Sequence, residues 1–167
     1  MPNTFTLIAS STVGAGGAAS IDFTSIPSTY TDLCLKYSLR NTTSEIWVNV
    51  KLNNATTNFS LRWLQGNGAS AGSSNFANNV YMGFTTLSTD TTSTFSNGEL
   101  YFPNYAGSTN KSFSSDMVTE NNGTTAYAQM NANLWSNTAV INQITLVANT
   151  GNLAQYSTAY LYGIIKS

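Results

Sequence analysis

The chain has 167 residues, with six Lys or Arg, seven Asp or Glu and no His, for a net charge of −1. Charged residues are 8% of the total, against roughly 25% in ordinary soluble domains, so hydration rests on Ser, Thr and Asn. This balance excludes a basic stripe for nucleic acid and a polycationic arm for a membrane, and it removes the histidine that Ser-His or Cys-His catalysis needs. In chain order, short alternating runs predict strands over 4–9, 19–23, 32–40, 45–52, 58–64, 80–86, 95–102, 112–119, 126–134, 142–148 and 157–165. MPNTFTLIAS carries no basic region followed by an apolar run, so no signal peptide is expected. No stretch approaches the roughly 20 apolar residues that span a bilayer.

The connections read as follows. Gly14, Gly16 and Gly17 in TVGAGGAAS lack a following Lys-Ser/Thr and suit a flexible link between the first two strands, not a phosphate cradle. GNGASAGSSN, 66–75, and STDTTST, 88–94, read as surface loops, and Asn97-Gly98 and Asn122-Gly123 as hairpin turns. A short helical turn is expected around 136–140. Together these predict an all-β fold: one domain over 1–167, an antiparallel two-sheet, jelly-roll-like sandwich of about ten strands.

Candidate chemistry is sparse. Asp116 and Glu120 fall on one side of a strand if it runs that far, with Asp90 and Glu99 near in sequence, but scattered acids of this kind read as solvated strand ends. Cys34 is the single cysteine, so neither a disulfide nor a thiolate zinc site can form within the chain. No catalytic residue, cofactor or metal is expected.

The strand faces point to partners instead. In TDLCLKYSLR the row Cys34, Lys36, Ser38, Arg40 reads as a sheet exterior, with Lys36 and Arg40 available to pair with acids across a subunit contact. In EIWVNVKL the apolar set Ile46, Val48, Val50 and Leu52 turns Trp47 outward beside Asn49 and Lys51, as an interface anchor or a platform for a host glycan. Trp63, in phase with Phe59 and Leu61, reads as core, while Trp135 fits either side. The last strand is apolar on both faces, with Tyr160, Tyr162 and Ile164 opposite Ala159, Leu161, Gly163 and Ile165, which implies a further surface packed over it. Few Lys and Pro are present to guard edge strands. The expectation is an obligate homo-oligomer.

Four segments carry a family likeness: IDFTSIPSTYTDLCLKYSLR (21–40), YFPNYAGSTNKSFSSDMVTENN (101–122), LWSNTAVINQITL (134–146) and YSTAYLYGI (156–164). They resemble small β-sandwich virion proteins of marine tailed phages, cyanophages among them. The resemblance implies a structural, non-enzymatic role in a virion assembled in the host cytoplasm, and it carries over no catalytic residue. Within that group the alternatives are a head decoration or cement protein, bound to the major capsid protein or other virion proteins, and a tail or head fibre module that binds host glycan. A single domain opening directly with a strand fits decoration better, most simply as a trimer at three-fold positions.

Overall fold

The computed structural model describes residues 4–44, 46–78, 81–122 and 126–165. Among the described residues twelve strands form: β1 (Phe5–Thr12), β2 (Ser20–Phe23), β3 (Asp32–Leu39), β4 (Trp47–Leu52), β5 (Phe59–Gly66), β6 (Ala71–Ala77), β7 (Tyr81–Phe84), β8 (Ser96–Phe102), β9 (Lys111–Thr119), β10 (Tyr127–Trp135), β11 (Ile144–Ala148) and β12 (Thr158–Ile164). They build an eight-stranded sheet, ordered β1-β12-β3-β8-β9-β10-β5-β6, and a four-stranded sheet, ordered β2-β11-β4-β7. Every ladder between named strands is antiparallel. The expected two-sheet sandwich is what the chain forms.

The alternating runs explain the core. Period two sends Leu33, Leu35, Tyr37 and Leu39 of β3 to one face, where they join Leu100 and Phe102 of β8 and Leu161 of β12. The small sheet contributes Ile21, Phe23, Val48, Val50, Leu52, Ile144 and Leu146 to the same buried cluster. Burying each such side chain is worth about 1.5–3 kcal/mol, enough to fix the register, since a one-residue slip would turn every one of them to water.

Several sequence expectations are corrected. The stretch read as a loop at 66–75 ends in an edge strand: β6 pairs with β5 from Ser60↔Ala77 to Gly66↔Ala71, with only a tight turn before it. That turn is made by Asn67, whose Oδ1 accepts from the amides of Ala69 (3.0 Å) and Ser70 (2.8 Å). β6 escapes the alternation test because neither of its faces is deeply covered. Asn97-Gly98 is not a turn but lies inside β8, where a Cβ on Gly98 would collide with the Asp116 carbonyl and the Tyr37 ring. No helical turn forms at 136–140; Asn137 Oδ1 accepts from the Ala139 amide at 2.8 Å and makes a side-chain turn instead. In the link between the first two strands Gly16 and Gly17 take φ +92° and +78°, and Ala18 pairs with Leu153. Asn122 has φ +55° between β9 and β10, while Gly123, Glu45 and Val80 lie outside the described residues.

Two buried cations pin the loops. Arg40, expected on the outer row of β3 and available to a partner, is buried and aims its guanidinium at the carbonyls of Thr91 and Thr94 (2.9 Å each), Asp90 (3.0 Å) and Ser88 (3.3 Å). It clamps the loop at 88–94 and leaves the outer face. Lys111, at the start of β9, donates to the carbonyls of Gly107 and Thr109 at 2.6 Å. Burial pushes its ammonium pKa down, and the carbonyl dipoles replace lost water.

Candidate assembly face

β10 is built inside out. Gln129, Asn131 and Asn133 are buried, while Ala128, Met130 and Ala132 between them are exposed. The reason lies across the sandwich in β7. Its pairing with β4 slips between Val48↔Gly83 and Asn49↔Tyr81, so Met82 has no ladder partner. A freed carbonyl in a dry interior needs a donor. Asn131 Nδ2 donates to Met82 O at 2.9 Å and to Ser115 Oγ at 3.0 Å, and Ser115 Oγ donates to Met82 O at 3.2 Å. Gln129 Nε2 donates to Asn131 Oδ1 at 2.8 Å and Asn133 Nδ2 to Ser115 Oγ at 3.2 Å. Asn131 serves β7 with Gln129 and Asn133 bonded around it, and the apolar side chains of β10 are left facing away from the core.

That outward face is continuous across three strands. Register sets Asp116, Met130 and Leu64 in one row of β9, β10 and β5, Ser114, Ala132 and Arg62 in the next, and Val118, Ala128 and Gly66 on the other side. Met130 is 66% exposed, Leu64 58% and Val118 42%. Met130 and Leu64 form a ridge between two depressions of similar size, because Ala132, Ser114, Ala128 and Gly66 are small. One, about 620 Å³, is lined by Arg62, Tyr101 and Pro103. The other, about 600 Å³, is lined by Asp116, Val118 and Ala128.

The other half of the same outer face is more conventional. Lys36 and Glu99, opposite each other on β3 and β8, pair at 2.6 Å. The bond to Glu99 raises the Lys36 pKa, and burial followed by the Glu99 charge raises the Asp116 carboxyl. Cys34 is buried between Tyr101 and Tyr162 in its cross-strand row, and burial with the nearby Glu99 carboxylate pushes its thiol up to about 12. It is therefore a packed thiol, not a nucleophile. Tyr101 Oη donates to Asp32 Oδ2 at 2.6 Å, which holds that phenol up at about 12. At the far edge Phe5, Leu7 and Tyr160 are exposed, and Phe5 meets half-buried Tyr162 edge-on at 6.2 Å.

The residues singled out in the sequence thus separate. Lys36, Tyr160 and Tyr162 share the outer face, on neighbouring strands β3 and β12. Arg40 leaves it for the loop clamp. Trp47, expected to face outward as an open ring, is half-buried in an aromatic cluster, stacked on Trp63 at 4.9 Å and tilted against Tyr81 at 4.4 Å. β4 keeps its alternation from Trp47 to Leu52, so Trp47 stays on the side opposite Val48 and Val50 and is covered there by rings of other strands. Trp135 resolves to the core. Asp116 and Glu120 are not brought to a common site, because β9 ends at Thr119 and Glu120 Oε1 accepts from the Asn122 amide. Arg62, Leu64, Val118 and Met130 were not visible as site residues. The signal that marks them is the evenly spaced amide series Gln129, Asn131, Asn133, which takes the inner face from the apolar series beside it.

Comparison with known proteins returns nothing. No family model, no curated protein and no solved structure matches the chain. Among the described residues no cluster of three or more His, Cys, Asp or Glu could hold a metal ion, and no helix is long and apolar enough to cross a membrane.

Proposed function

We propose that the chain is a structural protein of a phage virion, a head decoration protein that docks on the assembled shell through the outer face of its eight-stranded sheet. The observation that carries this reading is an outer sheet face with two separate apolar areas, one left by the inversion of β10 and one at the β1–β12 flank, more than a single neighbour would cover. A sheet that buries amides and leaves Met130, Leu64 and Val118 in water is stable as a lone sandwich only at a cost, because each exposed apolar side chain forgoes about 1.5–3 kcal/mol of burial. That cost disappears when the face is covered. At the opposite flank, Phe5, Leu7, Tyr160 and Tyr162 supply further apolar area with Lys36 beside them, the composition of an interface core and its polar rim. A protein that binds only the assembled shell stabilises it by mass action, without chemistry. The outer edges β1 and β6 of the large sheet carry no charge or proline, which also suits a protein whose surroundings are fixed by assembly.

The alternative, a fibre module that holds host glycan, comes from the same resemblance, with Trp47 as its candidate platform. That ring spends its contacts on Trp63, Tyr81 and Phe84. Counting copies per virion tests the proposal: hundreds support decoration, and a few dozen or fewer point to the tail. Binding of purified protein to empty shells, lost in Tyr160→Asp, is the second arm; wild-type protein that stays unbound contradicts the proposal.

A further inference from the structure

We propose that the Met130–Leu64 patch is the contact between two copies of this chain, related by a two-fold axis lying in the plane of the face. The inference goes beyond shell docking, which it leaves to the β1–β12 flank, and it is measurable with the protein alone.

Charge placement selects the occupant. Arg62 lies on β5 and Asp116 on β9, to either side of β10. Neither makes an ion pair among the described residues, where Lys36–Glu99 is the pair formed. Asp116 is opposite Met130, and Arg62 is opposite Ala132, so the line joining the two charges crosses β10 between Met130 and Ala132. A two-fold axis through that point, in the plane of the face and perpendicular to that line, exchanges the two positions. Each carboxylate then meets a guanidinium of the other copy, twice over, as an isologous contact requires. The same axis runs beside Met130, so the Met130–Leu64 ridges of the two copies cross and cover one another, flanked by the two depressions. A partner with a uniformly basic or acidic surface would leave one of the two charges against its own sign. A net charge of −1 opposes self-association little. A three-fold arrangement brings unlike patches together and leaves this exchange unmade, so the inference names a two-fold dimer and not the trimer that accompanied the family resemblance.

Sedimentation velocity on the full chain over a concentration series tests this. The wild type is expected to be a dimer. Arg62→Glu and Asp116→Arg, each alone, are expected to weaken it at least about tenfold by placing like charges in contact, and the double reversal to restore it. Thermal melts at low concentration confirm that the single variants fold, and Met130→Asp gives a second dissociated form that does not rest on the charge pair. A wild-type monomer at every concentration, a trimer, or a double variant no better than the singles overturns the inference. Failure here with shell binding intact leaves the decoration reading standing; dimers that ignore shells do the reverse.

Discussion

β3 and β10 lie in the same sheet, each flanked by strands on both sides, and distribute their side chains in opposite senses. β3 sends Leu33, Leu35 and Leu39 to the core and leaves Lys36 and Ser38 outside. β10 sends Gln129, Asn131 and Asn133 inward and leaves Ala128, Met130 and Ala132 outside. The difference comes from what lies opposite. The leucines of β3 meet apolar side chains of the small sheet, where dispersion and burial decide. β10 lies against β7, an edge strand with a slipped register, whose Met82 carbonyl asks for a donor. Period two creates two faces in both strands, but the neighbour chooses which one is inside.

Substitutions at the two strands break or sharpen this contrast. The largest effect is expected from Leu35→Ala, about 2–5 kcal/mol lost in denaturant unfolding, as for other fully buried leucines. Asn131→Leu makes β10 more apolar, yet is expected to destabilise by about 1–3 kcal/mol because Met82 O loses the nearer of its two donors and buried Gln129 Nε2 loses its acceptor. A stabilised Asn131→Leu protein would mean that the amide is not needed there. Met130→Gln is expected to change monomer stability by less than about 0.5 kcal/mol, since the side chain is outside, while weakening self-association.

The smallest effect concerns Asp116. Its carboxyl is raised above the ordinary value of 3.8 by burial and by Glu99, so the folded monomer disfavours the charged form. Stability from this group is therefore greatest at low pH and declines as pH rises through 3.8 and past the raised value. Asp116→Asn should flatten that decline and gain a few tenths of a kcal/mol at neutral pH in dilute protein, the screened value for an exposed site. Unfolding at several pH values, with wild type in parallel, checks the slope.

Much of the fold was legible because alternation marks any strand with one covered face: β3, β4, β9 and β12 appear in the sequence close to where they form. β6 was hidden because AGSSNFA presents no apolar series, only Phe76 reaching the ring cluster. The turn signal at Asn97-Gly98 misled because glycine there makes room for Tyr37, a reason that depends on a different strand. The site was less legible than the fold. Tyr160, Tyr162 and Lys36 were visible as an outward set, but Arg40 was claimed by loop carbonyls 48 to 54 residues away. Trp47 was covered by Trp63 and Tyr81, rings of other strands that no local pattern announces. The patch around Met130 required knowing that β7 sits opposite β10.

Methionine oxidation tests the inversion most directly, because the chain carries its own controls. Met82 and Met117 are each 1% exposed, whereas Met130 is 66% exposed. Under limiting peroxide, peptide mass spectrometry of dilute monomer should show Met130 converted to the sulfoxide well ahead of Met82 and Met117, and protected once the protein is assembled. Met130 as resistant as Met82 in the dilute monomer, or equally reactive in every assembled state, would contradict the account.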